Sequence, residues 1–208
     1  DKTTKSKYKD VIGEINKCYQ LSSILRNKRL KRGYIDFGSH DTRIKLNKND
    51  IPIEINSNTK LASSLIIEEF MIVCNETIAD FFYKNNIPFI YRIHEKPTRE
   101  KIENSLELFS NIGIQLTYKD FINSCNLNKI LQKYKDSSKY NQVCDIILRS
   151  YNKAKYSNRP KEHFGLANKH YCHFTSPIRR YPDLQLHKII KKYLRKQITQ
   201  TEIRNLNN

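Results

Sequence analysis

The sequence predicts an α+β fold, with a small antiparallel sheet packed against several helices. Three observations carry this reading. Apolar residues recur at helical spacing in several stretches separated by caps and breakers. Between residues 34 and 55 the period drops toward two, with turn chemistry in the middle. Finally, 38% apolar residues in a chain of 208 are enough for one core of ordinary size and too many for a disordered chain.

Residues 7 to 31 place Val11, Ile15, Cys18, Tyr19, Leu21 and Leu25 at near-helical spacing, so a helix is expected to end before Gly33. Tyr34 to Phe37 and Thr42 to Leu46 then read as short strands. Asn47 to Asp50 is turn composition, and Ile51 to Ile55 alternates as an edge strand that tolerates Pro52. A second helix is expected from a cap at Asn58 or Thr59 to about Tyr83, where Asn85, Asn86 and Pro88 break it. Phe89 to His94 reads as a strand. Thr98 caps a third helix that runs to about Asn111, and two shorter helices follow near 119 to 135 and 140 to 154. Residues 155 to 177 read as loop, and a last helix opens at Pro182, a residue suited to a first helical turn.

Several function classes drop out early. No apolar run reaches the roughly 18 to 20 residues that cross a bilayer, and DKTTKSKYKD at the start has no secretory apolar stretch. Five cysteines without a CxxC pair argue against a disulfide framework or a structural zinc site. A soluble cytoplasmic protein with reduced, mostly core thiols and no membrane partner is the expectation.

A net charge of +17 points to a polyanionic partner. Residues 1 to 60 carry 14 bases and 7 acids, residues 61 to 150 carry 11 of each, and residues 151 to 208 carry 13 bases and 3 acids. An AT-rich codon pool would also inflate lysine and asparagine, but it does not explain a neutral middle third.

Two places carry candidate chemistry. On a helical wheel of residues 61 to 82, Glu69 falls with Glu76 and Asp80 on a polar stripe, while Glu68 falls among Leu61, Leu65, Met71, Ile72, Asn75, Ala79 and Phe82. Glu68 is therefore expected on the buried side with a cation for partner, most naturally arginine. A purely structural Glu–Arg brace is the alternative. The second place is His173 to Asp183, where Thr175 and Ser176 stand before Pro177, and Arg179 and Arg180 lie between it and Pro182, ahead of a helix. Arginine forks, hydroxyls and a helix N-terminus together are phosphate-handling composition. The helix beyond divides into an apolar face (Leu186, Ile189, Ile190, Tyr193) and a basic one (Lys188, Lys191, Lys192, Arg195). A basic face can be merely solvated; beside the arginine loop it reads as a contact for nucleic acid.

LIIEEFMIVCNETIA (65 to 79), FIYRIHEKP (89 to 97) and HFGLANKHYCHFTSPIRRYPDLQLHK (163 to 188) resemble the RNB-type exoribonucleases, the ribonuclease II and ribonuclease R family, and look closer to the ribonuclease R branch. RGYIDF (32 to 37) resembles the same family, in the right order, so the likeness runs from about residue 8 to about 196. It implies a partial RNB catalytic domain degrading single-stranded RNA from its 3′ end to nucleoside 5′-monophosphates, with two Mg2+ ions activating water and stabilising the leaving oxygen. By that resemblance Phe37 matches the aromatic that stacks on a base near the 3′ end. Glu68 and Arg179 match the glutamate and arginine beside the terminal nucleotide, the arginine facing the scissile phosphate. Arg180 is expected to project toward Lys188, Lys191 and Arg195 and meet phosphates farther out.

The sequence departs from that family in its aspartates. Family enzymes hold their metals with a tight aspartate cluster, whereas no two of the ten aspartates here are closer than five residues. The expectation is a C-terminal half of a catalytic domain, without the upstream cluster, the cold-shock barrels or the C-terminal oligonucleotide-binding barrel. Its metal ligands would lie outside the chain, and its partner would be the N-terminal half of the same domain. On its own such a chain is expected to be inactive. The competing classes are a non-catalytic single-stranded RNA-binding module and a basic protein that binds duplex DNA through its last helix.

Overall fold

The computed structural model describes residues 8–37, 41–58 and 61–197, and the fold is α+β. Helix α1 (Lys9–Arg32) ends with Arg29, Lys31 and Arg32 in its last turn, where cations suit the helix dipole. Gly33 stops it at φ 109°, a left-handed conformation in which an L side chain is strained. Space is equally restrictive, since a Cβ there would lie 2.6 Å from Ser124 Oγ.

Residues 34 to 37, expected as a strand, join no ladder. Ile35 is 3% exposed and embedded in the helical core, and its N–H reaches Gly165 O at 3.5 Å. The true hairpin comes next. Strands β1 (Asp41–Leu46) and β2 (Pro52–Asn58) pair antiparallel with Ile44 opposite Ile55, and a register shift at Leu46 sets it opposite Pro52, which donates no ladder bond. Their turn is an Asx turn, Asn47 Oδ1 accepting from the N–H groups of Asn49 (2.8 Å) and Ile51 (3.0 Å).

The strand continues through Asn58, so that residue caps no helix; Thr59 lies outside the described residues. Helix α2 (Ala62–Lys84) follows Leu61 without a side-chain cap. Strand β3 (Tyr91–Ile93) pairs antiparallel with β4 (Lys155–Ser157), so the stretch read as loop contributes a strand and the sheet is two separate ribbons. Between them run α3 (Arg99–Asn111), α4 (Tyr118–Ile122), α5 (Ser124–Tyr134) and α6 (Tyr140–Ser150). The helix expected near 119 to 135 divides because Asn123 is extended (φ −117°, ψ 110°) and its side chain caps α5 through Cys125 N at 2.9 Å. A 3₁₀ turn (Phe164–Leu166) and α7 (Tyr181–Leu194) complete the chain.

Two cores result. Ile102, Phe109, Phe121, Leu127, Leu131, Val143 and Ile147 join α3 to α6. Ala79, Phe82, Phe89, Tyr91, Ile93, Cys172 and Leu186 join α2, β3 and α7. All five cysteines are free thiols; Cys144 and Cys172 are buried and the others half-buried. No described helix is long and apolar enough to cross a membrane.

Candidate nucleic-acid interface

The loop before α7 is held from both sides. From α2, buried Asn75 accepts from Phe174 N through Oδ1 (2.9 Å) and donates to Tyr171 Oη through Nδ2 (3.0 Å). Its carbonyl receives the Cys172 thiol at 3.2 Å. From α7, the His187 ring stacks on Phe174 at 4.1 Å between centroids, with Nε2 3.0 Å from Phe174 O.

Asp183, wholly buried, then fixes the turn. One carboxylate oxygen accepts from Ser176 N (2.8 Å) and from Arg180 Nε (3.1 Å) and Nη2 (2.8 Å). Ser176 O in turn receives the N–H groups of Arg179 (3.3 Å) and Arg180 (3.1 Å), curling the chain into the helix start. Arg180 is thus folded back on Asp183 and does not reach along the Lys188 side. The reason is electrostatic: a buried carboxylate demands a cation, and the nearest arginine in sequence is three residues away.

Arg179 is left free by the same turn. Its side chain is exposed and has no ion pair or hydrogen bond among the described residues, and Ile178 and Tyr181 stand exposed beside it. Thr175 and Ser176 are half-buried on the approach. Lys188, Lys191 and Arg195 lie exposed along α7, while Leu186 is buried and Ile189, Ile190 and Tyr193 pack inward. The expected division of that helix therefore stands.

The glutamates are exchanged relative to the wheel. Glu69 is 2% exposed, whereas the Glu68 side chain keeps 24% exposure. Only Glu69 of the two is buried, because α1 lies along the stripe that looked polar. Arg29 bonds Glu69, with Nε 3.2 Å from Oε2 and Nη2 on Oε1, and Arg32 Nη2 reaches Glu76 at 2.5 Å. The arginine expected for Glu68 lies 3.7 Å from it and serves Glu69 first. Glu68 sits two helical turns before Asn75 on one face of α2, about 10 Å along the axis. That spacing puts it on the side of α2 that anchors the Arg179 loop.

Phe37 is half-buried, edge-on to Tyr151 at 6.0 Å between centroids, and packs against the helical core. Sequence reasoning missed a further group. Arg92 lies 4.7 Å over the Tyr156 ring, and Tyr156 Oη is 2.9 Å from His173 Nδ1. Burial, with help from Arg180 and Arg92, pushes His173 down to about 4, so its imidazole is neutral at pH 7. The sequence signals for this group were the cation in FIYRIHEKP and His173 at the head of the arginine loop; the tyrosine that joins them comes from the strand read as loop.

A magnesium site does not fit these residues. Among the described residues no group of three or more His, Cys, Asp or Glu could hold a metal ion.

The RNB domain family profile matches residues 1–196. Ribonuclease R of Thermotoga maritima is 38% identical over 195 residues, 93% of this chain and 28% of that protein. Ribonuclease R 1 of Lactococcus lactis is 35% identical over 193 residues, 92% of this chain and 24% of that protein. The structure of Mycoplasma genitalium RNase R in complex with ribose methylated single-stranded RNA superposes with a TM-score of 0.84 at 34% identity, covering 94% of this chain and 31% of that one. The same protein in complex with double-stranded RNA gives a TM-score of 0.85. The chain spans about a quarter of the length of these curated relatives.

Proposed function

Since the chain belongs to the RNB domain family, we propose that it forms part of a 3′-to-5′ exoribonuclease, gripping the 3′ end of single-stranded RNA. The observation that carries this reading is the exposed, uncommitted Arg179, presented by the Ser176–Asp183–Arg180 lock at the head of a basic helix. A guanidinium so placed offers parallel donors to phosphoryl oxygens, and held rigidly it neutralises charge that grows there during hydrolysis.

The remaining roles follow. Thr175 and Ser176 add hydroxyl donors, Lys188, Lys191 and Arg195 neutralise phosphates along the strand, and Arg180 serves the interface chiefly by holding the turn. Phe37 stacks on a base and Glu68 accepts hydrogen bonds from the terminal ribose. In the two-metal chemistry of this reading, divalent ions activate the water, and they are held by an aspartate cluster on another part of the catalytic unit. None of the residues named here holds them. The products are nucleoside 5′-monophosphates and the place of action is the cytoplasm.

A second reading is a non-catalytic single-stranded RNA-binding module. It is favoured by the wide spacing of the aspartates and by the lack of a metal-holding group among the described residues.

Arginine substitutions separate the two. In the chain fused to the aspartate-bearing segment of a relative, Arg179→Lys lowers turnover about 100- to 1,000-fold while RNA affinity changes a few-fold, since lysine keeps the charge and loses the fork. Arg180→Lys loses the fork on buried Asp183 and loosens the turn, so it lowers the melting temperature and reduces turnover less than Arg179→Lys does. A fused enzyme that releases no monophosphates supports the binding module, and a fusion indifferent to Arg179→Lys makes the loop a structural brace.

A further inference from the structure

Arg92 is the exception among the described arginines that the fold partly covers. Arg26, Arg29 and Arg180 each meet a carboxylate, on Asp36, Glu69 and Asp183. Arg92, half-buried on β3, has no ion pair or side-chain hydrogen bond among the described residues. Its guanidinium lies 4.7 Å over the ring of Tyr156, the residue opposite it across the β3–β4 ladder. Glu95, in the same stretch, is engaged elsewhere, with Lys155 at 2.9 Å on one oxygen and Lys161 at 2.7 Å on the other.

A ring contact does not meet the needs of a guanidinium. The ring attracts the cation, but it leaves the N–H donors in the guanidinium plane without an acceptor. A cation partly withdrawn from water and left without an anion is costly, so the place favours an anion that arrives from outside. The same group adjoins the arginine loop. The Arg92 backbone N–H donates to Tyr171 O at 2.8 Å, and Tyr156 Oη lies 2.9 Å from Nδ1 of His173, the residue before Phe174. Burial, then the fields of Arg180, Arg92 and Arg179, keep the His173 ring neutral at pH 7 against the pull of Asp183. Asp183 is committed to Arg180, so Arg92 and Arg179 both act on one ring and neither has a carboxylate among the described residues.

We propose that Arg92, carried on Tyr156, binds a second phosphate of the RNA strand, separate from the one that Arg179 faces. The inference rests on the reading that the arginine loop grips the 3′ end of single-stranded RNA. Since Arg179 there faces the scissile phosphate nearest that end, the other phosphates of the strand lie on its 5′ side, and so does the one that Arg92 takes. A phosphodiester presents two free oxygens, which a guanidinium meets with parallel N–H donors. Such a contact carries no sequence information; with Arg179 it fixes the register and direction of the strand as it leaves the loop.

The test uses the 208-residue chain and fluorescence anisotropy with a 5′-labelled, ribose-methylated single-stranded RNA of about ten nucleotides. One phosphodiester at a time is replaced by a neutral methylphosphonate, and a thermal melt of each variant runs alongside. In the parent, two linkages lose affinity when neutralised. In Arg92→Gln the cost at the linkage on the 5′ side shrinks about five-fold or more, the size of coupling that contacting groups show, while the cost at the other linkage stays. In Arg179→Gln the pattern is reversed. A folded Arg92→Gln that keeps the parent's cost at every linkage overturns the inference, and so does coupling of both arginines to one linkage. Should Arg92→Gln lose its cooperative melt, Arg92→Lys, which keeps a cation over the ring, enters the same cycle: a smaller cost at the 5′ linkage supports the inference and an unchanged one overturns it. A parent that does not bind the RNA, or that is indifferent to every replacement, refutes the reading of the loop and takes the inference with it. If Arg179→Gln alone shows coupling, only the inference falls; if Arg92→Gln alone does, the second phosphate stands and the reading of Arg179 fails.

Discussion

Asp183→Ala removes the carboxylate that holds the interface turn, and the size of its effect can be worked out. The carboxylate is fully buried and one oxygen serves three donors, Ser176 N and two nitrogens of Arg180. Removing one partner of such a pair costs about 3 to 5 kcal/mol where the survivor stays buried. Arg180 keeps 22% of its side chain exposed and can turn toward water, which favours the lower end, about 3 kcal/mol. For a chain of this size that lowers the melting temperature by roughly 6 to 12 °C.

Asp183→Asn sharpens the reasoning. Its amide oxygen can replace the oxygen that accepts all three bonds, and its NH2 falls where the other oxygen has no partner. The geometry survives and the charge is lost, so the cost drops to about 1 to 2 kcal/mol. Urea unfolding of both variants, followed by circular dichroism, measures the difference. If Asp183→Ala costs under 1 kcal/mol, or if Asn proves as damaging as Ala, the turn is not held by this carboxylate as described.

The other expectations are simpler. Phe37→Ala weakens single-stranded RNA binding by about 1 to 3 kcal/mol with little sequence preference; unchanged affinity in the folded variant makes Phe37 a core residue only. Gly33→Ala destabilises by about 1 to 3 kcal/mol, because alanine at φ 109° is strained and its Cβ meets Ser124 Oγ at 2.6 Å and Cys125 N at 3.1 Å; a wild-type melt would refute this. Burial holds His163 down at about 3 and His173 at about 4, so at pH 5 they take up protons only when the chain unfolds. Their contribution is complete above about pH 6.5 and falls as pH drops toward those values, by roughly 2 kcal/mol each at pH 5. A flat stability profile between pH 7 and pH 5 contradicts that. The 208-residue chain alone releases no 5′-monophosphates from single-stranded RNA with magnesium, and release by a highly purified sample would reveal metal ligands among its own residues.

Local signals decided much of what the sequence revealed. The end of α1 at Gly33, the Thr98 cap of α3, the Asn47 turn and the two faces of α7 each depend on residues within a turn of one another, and each is where the sequence places it. The likeness to the RNB family was legible for the same reason, since its motifs are short and contiguous. Tertiary structure decided the rest. Residues 34 to 37 have strand composition, but a strand exists only where another backbone completes its hydrogen bonds, and here helices receive Ile35 instead. Lys155 to Ser157 has no strand pattern, yet β3 lies alongside it. Glu68 and Glu69 show the limit most clearly. Periodicity fixes the angle between them about the α2 axis, but which of the two is buried depends on the arrival of Arg26, Arg29 and Arg32 from α1, some forty residues away in sequence. The sequence of a helix determines its faces; what covers each face is settled by the rest of the chain, because burial depends on neighbours that the helix does not encode.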